Sequence, residues 1–208
     1  MESTIPSVRL PREPIVPLRY PRHEIPPVTR VRSTALHSTL RALETRGLLS
    51  RYGENLPDGL RATVMSVVPA MWIDVSLAVA HYAAVDALCI PVSEQIAIGT
   101  SAGGSAQRFL TATLLRMSRE AGVTPWAVMP HTHRLWDRMC VGGDISVDRV
   151  GPKEAILTLR GLPYARSQYF RVAARAAFQA GLSHWCRKCY VTEVSCSDTV
   201  LELREAWA

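Results

Sequence analysis

The stretch Ile145-Ser-Val-Asp-Arg-Val-Gly-Pro-Lys-Glu-Ala-Ile-Leu-Thr-Leu159 decides the fold class of this 208-residue chain. Before its Gly-Pro step, apolar Ile145 and Val147 alternate with polar residues. After the step, the alternation resumes at Ala155 and continues to Leu159. Two runs with a period of two, separated by a turn signal, predict a β-hairpin.

The segments on either side of this hairpin have recognisable periods. Downstream, Ser167–Ala180 has a helical pattern, and a second hairpin follows over Cys189–Ser195 and Val200–Trp207. Upstream, helical patterns predominate, including one over Trp72–Leu88 and a glycine-interrupted one over 92–119. The sequence therefore predicts an α+β fold: a helical N-terminal half followed by a small antiparallel β-β-α-β-β sheet, forming one domain over 32–208.

Residues 1–31 form a proline-rich basic arm, with seven prolines, five arginines and three glutamates. Proline removes backbone donors and disfavours helix, so we expect this arm to be extended or disordered. Pro14-Ile-Val-Pro17 has PxxP spacing, and Arg12 and Arg19 flank it. This pattern favours a protein partner with an aromatic-lined groove. The alternative is a strap packed along its own domain.

Charge and composition argue against several classes of protein. The first 32 residues carry +3 of the net charge of +6, which leaves too little on the rest of the chain for an expected nucleic-acid surface. The apolar stretches Val75–Ala80 and Ala83–Val92 are too interrupted for a membrane span, and Met1–Leu10 has no apolar segment of a signal peptide. With five cysteines and no such segment, a cytoplasmic protein with reduced thiols is expected.

Gly99-Thr-Ser-Ala-Gly103 matches the G-x-S-x-G nucleophile elbow and is similar to the elbow of patatin-like lipases. That resemblance implies Ser101 as the nucleophile of a serine hydrolase. The chain has no upstream glycine-rich oxyanion loop and no downstream Asp-Gly-Gly or Asp-Gly-Ala. We therefore expect no catalytic residue, with Ser101 as the alternative and a close junction between helices as the competing interpretation.

Cys186-Arg-Lys-Cys189, with Cys196 nearby, is the one metal-like spacing. Zinc is commonly bound by a C-x-x-C pair completed by further cysteine or histidine, and His131 or His133 could complete this one. There is no second C-x-x-C, and a strand cysteine packs equally well as a small apolar residue. We expect no metal site, and keep these three cysteines as the alternative.

Aromatic residues and histidines suggest a small-molecule pocket. The candidates for its lining are Trp72, His81, Trp126, His133 and Trp136. Such residues could surround a planar cofactor such as haem, or could simply belong to the core. The sequence leaves the cofactor open.

The order of features from Arg32 onward resembles a bacterial paralogue family of unassigned function, related to vinyl-reductase-type and haem-NO-binding-like sensor domains. The residues that carry the resemblance are Trp72, Trp136 with Gly142-Gly143, Gly151-Pro152, Gly181, Glu193-Val-Ser-Cys196 and Arg204-Glu-Ala-Trp207. The chain departs from the vinyl-reductase-type pattern after Cys196, where Ser197-Asp198 follow without a second cysteine.

This resemblance implies a ligand-binding or signalling module that forms homodimers. Combined with the lack of a complete catalytic set, it favours a non-enzymatic sensory or interaction domain in bacterial regulation, with a protein partner bound through the arm. A serine hydrolase and a zinc- or haem-binding protein are the alternatives.

Overall fold

The structure, a computed structural model, describes residues 12–107 and 123–208. Residues 1–11 of the arm, and residues 108–119 of the predicted helical stretch, lie outside the described residues. In chain order the elements are β1 Glu13–Val16, β2 Arg30–Arg32, α1 Thr34–Thr45, α2 Leu49–Glu54, α3 Asp58–Met65, β3 Trp72–Asp74, α4 Val75–Asp86, α5 Val92–Gln107, α6 Pro125–Val128, a 3-10 turn Met129–His131, α7 Thr132–Met139, β4 Cys140–Val141, β5 Asp144–Gly151, β6 Glu154–Arg160, α8 Gln168–Leu182, β7 Cys189–Cys196 and β8 Val200–Trp207. The α+β class is confirmed.

The β5–β6 hairpin is the centre of a five-stranded antiparallel sheet. Its strand order is β1-β5-β6-β8-β7, and Ile145 lies opposite Leu159 across β5 and β6. The alternating apolar side chains face the core, where Leu157, Leu201 and Leu203 have almost no exposed surface. Helix α8 packs on this face and joins β6 to β7.

A second, three-stranded sheet of order β3-β2-β4 was not predicted. Its strand β3 corrects the predicted helix Trp72–Leu88, because Trp72–Asp74 pair with β2 and the helix begins at Val75. Asp74 caps this helix by accepting a hydrogen bond from the Ser76 amide at 2.8 Å. A strand of three residues is too short to show a period, so no pattern in the sequence indicates it.

Residues 12–29, called the strap below, lie along the domain and are interrupted by a turn at 22–24. Strand β1 pairs with β5 at the sheet edge, where Pro14 is tolerated because an edge strand needs fewer ladder bonds. Further along, the Gly143 amide donates to the Pro26 carbonyl at 2.8 Å, and the Val28 amide donates to the Gly161 carbonyl at 2.7 Å. A Cβ added at Gly142 would lie 2.2 Å from the Pro27 oxygen, so only glycine admits the strap this close.

A buried ion pair also holds the strap. Asp144 is fully buried and accepts hydrogen bonds from the Arg19 amide at 2.7 Å and from Arg19 Nε at 3.1 Å. The same guanidinium contacts exposed Asp137 at 2.8 Å. The strap is thus tied to the sheet by backbone pairing and by a charged group.

No helix within 12–107 and 123–208 has both the length and the apolar composition that crossing a membrane requires.

Candidate ligand-binding site

A cavity of about 270 Å³ lies between the helices and the five-stranded sheet. Helices α1, α4, α7 and α8 contribute most of its wall, and β4 to β6 close it from the sheet side. Small side chains make the space, among them Ala78 on α4 and Ala173, Ala174 and Ala177 on α8. Leu135 is 46% exposed and lines the cavity, so it marks the mouth.

His81 is the most deeply buried polar residue of the cavity wall. It is 1% exposed, and its Nδ1 lies 2.8 Å from Oη of Tyr52 on α2. Within 12–107 and 123–208, its Nε2 has no hydrogen-bond partner. His81 is one of the residues that line the cavity, but Nε2 itself has almost no accessible surface. Burial lowers the pKa of His81 to about 3, so the imidazole is neutral.

The tautomer of His81 follows from the hydrogen bonds that the two buried rings can make. Burial raises the pKa of Tyr52, whose Oη therefore keeps its proton and, among the described residues, has His81 Nδ1 as its one hydrogen-bond partner. If Nδ1 donated, both the Tyr52 hydroxyl proton and the Nε2 lone pair would be unsatisfied. If Oη donates, only the Nε2–H group is unsatisfied. The second arrangement is favoured, and it places the hydrogen on Nε2.

The wall beside His81 is aromatic. Tyr82, Tyr164 and Phe170 line the cavity, with ring centroids 4.8 to 5.2 Å apart in each pair. Tyr164 hydrogen bonds to Cys140, and burial raises the pKa of that thiol to about 12. A thiol whose pKa is this high is a poor nucleophile at neutral pH. Tyr164 and Cys140 therefore favour a binding role of the cavity over a catalytic one.

The structure brings two of the five predicted pocket residues together. His81 and Trp136 line the cavity, whereas Trp72, Trp126 and His133 do not. Trp72 stacks under Arg32, whose Cζ is 4.1 Å from the ring centroid. Trp126 packs against Trp207, and His133 hydrogen bonds through Nε2 to the Ile145 carbonyl at 2.9 Å.

In sequence, Trp126, His133 and Trp136 have the spacing of one helix that begins at Pro125. That helix is interrupted at Met129–His131, and α7 begins anew at Thr132. Pro130 lies in this turn and provides the physical reason, since proline lacks the amide that a continuous helix needs. It is also the signal that could have revealed the break. Five sets of site residues were not predicted from the sequence: Tyr52, Tyr82, Tyr164, Phe170 and the lining alanines.

The residues predicted to bind a partner through the arm contact the chain itself. Pro14 lies in β1 opposite Asp148, and Arg12 lies 3.7 Å from Asp148 and 3.5 Å from Glu202. Arg19 is the residue that pairs with Asp144. Pro17 follows β1 directly. A partner that used this motif would require β1 to leave the sheet.

The G-x-S-x-G segment lies inside α5, which runs through Val92–Gln107 as continuous helix. The strand and bend that a nucleophile elbow needs are therefore replaced by helix at Gly99–Gly103. A Cβ at Gly99 would lie 2.6 Å from Cα of Ala173, so this glycine allows α5 and α8 to approach closely. This geometry is a correction to the elbow interpretation of Ser101.

The three candidate metal-ligating cysteines donate to different backbone carbonyls. Cys186 Sγ lies 3.2 Å from the Leu182 oxygen, Cys189 Sγ 3.2 Å from that of Gln179, and Cys196 Sγ 3.3 Å from that of Ala165. Across the described part of the chain, no three histidine, cysteine, aspartate or glutamate side chains converge as metal ligands do. Burial raises the pKa of Cys189 to about 11, which disfavours the thiolate that zinc requires.

Two solved structures of haem proteins have a similar fold. One comes from work on modulating haem redox potential through protein-induced porphyrin distortion; it has a TM-score of 0.52 at 11% identity, over 85% of this chain and 99% of its own. The other comes from work probing haem distortion in the H-NOX family; it has a TM-score of 0.50 at 11% identity, over 85% of this chain and 94% of its own.

No protein-family model matches the chain, and the curated proteins contain no match. At this identity the likeness concerns the fold alone. The expected haem-NO-binding-like fold is confirmed, and the vinyl-reductase-type relationship stays a prediction.

The residues described around the cavity do not fit haem. Haem iron needs an imidazole nitrogen that it can reach, whereas Nε2 of His81 has almost no accessible surface. The cavity of about 270 Å³ lies below the range of about 300–1,000 Å³ for drug-sized ligands. Among the described lining residues, the one guanidinium belongs to Arg32, which stacks on Trp72 and donates to the Ala70 carbonyl at 2.8 Å. It is therefore engaged and unavailable to a propionate.

Proposed function

We propose that this chain is a non-enzymatic, sensor-type binding module whose ligand is a small apolar molecule held in the cavity beside His81. The observation that carries the proposal is the cavity itself. Its wall is almost entirely apolar or aromatic, with small alanines where a close-packed core would have larger side chains. Protein interiors are normally packed to crystal density, so a space of about 270 Å³ needs a reason.

The boundaries of the cavity support a role in binding. The aromatic rings of Tyr82, Tyr164 and Phe170 form a wall in which each ring supports the next, so the surface is already in place before a ligand arrives. Trp136 forms another part of the wall and is fixed by donating from Nε1 to the Gly142 carbonyl at 3.0 Å. The same fold holds haem in the neighbouring structures, so a buried ligand is compatible with this architecture.

The experiment is a titration of the protein with indane, a rigid apolar bicycle, followed by tryptophan fluorescence and calorimetry. Trp136 lines the cavity and should respond to a ligand beside it. Saturable one-to-one binding with a negative heat-capacity change is expected, because apolar surface is removed from water. Absence of saturable binding would overturn the proposal.

A matched pair of variants localises the binding. Ala177→Leu adds three carbons to the cavity wall and should weaken indane binding at least tenfold. Ala176 lies next to it on α8 outside the lining and is similarly half-buried, so Ala176→Leu should leave the affinity within a factor of two. Equal effects of the two variants would show that indane binds elsewhere.

We propose that the strap binds a protein partner only when β1 has separated from β5. The residues that would contact the partner are Arg12, Pro14, Pro17 and Arg19. In that state the PxxP segment would be free to lie in an aromatic groove. Asp144→Asn weakens the contact that holds Arg19, so it should increase partner capture in a pull-down. If wild type and variant captured the same amount of partner protein, the proposed role of the strap in partner binding would be wrong. Homodimerisation and a regulatory role in bacteria also remain proposals.

A further inference from the structure

We infer that Tyr82 is the specificity-determining residue of the cavity, and that its hydroxyl group donates a hydrogen bond to one neutral acceptor on the ligand, such as a ketone oxygen. This inference rests on the proposed function and deepens it, because it names the polar atom that an otherwise apolar ligand carries. Ligand cavities commonly combine an apolar wall with a few polar groups that fix the orientation of the ligand.

The first step concerns the Tyr82 hydroxyl itself. Tyr82 lines the cavity and keeps part of its surface accessible. Among the described residues its Oη has no hydrogen-bond partner, and it is not one of the unpaired atoms that lack accessible surface. Tyrosine hydroxyls in protein interiors usually have a partner, so a ligand acceptor beside Oη completes a bond that is otherwise missing.

The second step concerns the place of this hydroxyl in the wall. The Tyr82 ring packs against Tyr164 and Phe170, with centroid distances of 4.9 and 5.2 Å. Burial raises the pKa of Tyr82, and the neighbouring Tyr169 hydroxyl and Cys140 thiol raise it further, so Oη keeps its proton. Because Cys140 and Tyr164 also line the cavity, the three polar groups form a small polar spot in an apolar wall.

The third step concerns the other polar side chains that line the cavity. The Thr132 hydroxyl and the Arg32 guanidinium donate to backbone carbonyls, and Tyr164 and Cys140 hydrogen bond to each other. Nε2 of His81 has almost no accessible surface. The described wall therefore has one hydroxyl group that is both accessible and without a partner, and it belongs to the tyrosine that follows His81.

The fourth step favours a neutral acceptor over an anion. The Tyr82 hydroxyl is uncharged, and the guanidinium of Arg32 stacks on Trp72 and donates to the Ala70 carbonyl at 2.8 Å. An anion beside Tyr82 would lose its hydration without a counter-ion from this part of the wall. A ketone oxygen loses only its hydrogen bonds to water, which the tyrosine hydroxyl replaces.

The test compares 1-indanone with indane, two bicycles that differ by a carbonyl in place of a methylene group. Titration of the full chain should give about five- to tenfold tighter binding for 1-indanone, the ratio expected for one neutral hydrogen bond. Tyr82→Phe removes only the hydroxyl oxygen and keeps the ring, so indane should still bind and the ratio should fall close to one. Equal affinities of the wild type for the two bicycles, or a preference that persists in Tyr82→Phe, would overturn the inference.

Tyr169→Phe is the matched control. The Tyr169 ring centroid lies 6.1 Å from that of Tyr82, but Tyr169 does not line the cavity and its Oη lies 2.7 Å from Oγ1 of Thr39. This variant should therefore keep the preference for 1-indanone. Loss of the preference in both variants would show that it depends on the packing of the aromatic cluster, and would overturn the assignment to the Tyr82 hydroxyl.

The infrared carbonyl stretch of bound 1-indanone reports on the hydrogen bond itself. We expect a lower frequency in the wild type than in Tyr82→Phe, because a donated hydrogen bond weakens the carbonyl bond. Identical frequencies would contradict the inference. The two levels remain distinguishable, because binding of neither bicycle rejects the proposed function, whereas equal binding of both rejects only the acceptor.

Discussion

Removing the carboxylate of Asp144 tests how firmly the strap is held. Asp144 is fully buried, and its two oxygens accept from the Arg19 amide, Arg19 Nε and the Ile145 amide at 2.7 to 3.1 Å. In Asp144→Asn one oxygen becomes an NH₂ group that faces a donor, so at least one charge-assisted bond is lost. Such bonds contribute about 1.5–3 kcal/mol, and Arg19 is 33% exposed, so we expect a loss of about 2 kcal/mol in the free energy of unfolding.

Asp137 provides the matched control. Its carboxylate contacts the same guanidinium at 2.8 Å, but its side chain is 57% exposed. An exposed ion pair contributes about 0–1 kcal/mol, so Asp137→Asn should cost less than half as much as Asp144→Asn. A double-mutant cycle with Arg19→Met should give a clear coupling to Asp144 and little coupling to Asp137.

Urea denaturation followed by circular dichroism measures these free energies, and amide hydrogen exchange locates the change. In Asp144→Asn, exchange should accelerate first in β1 and the following residues of the strap, ahead of global unfolding. Equal costs for the two aspartate variants would refute the reasoning, because they would show that burial of Asp144 does not strengthen the pair.

Three further outcomes are expected. Burial raises the pKa of Glu205 to about 8, well above its unfolded value, so the free energy of unfolding should fall as the pH rises from about 4.5 to 8. Glu205→Gln should remove this pH dependence. In urea melts the variant should be more stable than the wild type by a few kcal/mol above pH 8 and by little below pH 4.5. Gly142→Ala should destabilise the fold by at least about 1 kcal/mol, because its φ is +83° and the added Cβ would meet the Pro27 oxygen. Gly59→Ala, with open space around its Cβ, should not destabilise the fold. Thermal melts of the two variants measure this difference in stability. A fluorophosphonate probe should not label Ser101, because the backbone there is helical; labelling lost in Ser101→Ala would reinstate the hydrolase.

The sequence predicted the helices and strands in which the hydrophobic period continues over enough residues to be recognised. The hairpin around Gly151 and the helix after Ser167 have clear periods of two and of three to four, and both lie where expected. Pairing between distant segments was not predictable. The contact of β1 with β5 joins residues more than 130 positions apart, and nothing local in the proline-rich strap specifies it.

The candidate site was predictable only in part for the same reason. His81 is a histidine in an apolar helix, which is a local pattern, and the structure places it in the cavity wall. Its partner Tyr52 comes from a short helix 29 residues earlier, and their pairing depends on tertiary packing. Alanines that create space by being small leave no signal in a single sequence.

The central claim is that a small apolar molecule occupies the cavity beside His81. Nuclear Overhauser effects between bound indane and assigned protein protons measure this directly. We expect contacts to the Trp136 ring and to the methyl groups of Ala78 and Ala177, all of which line the cavity. Contacts confined to exposed side chains such as Tyr190 and Val194 on the far edge strand β7 would contradict the account.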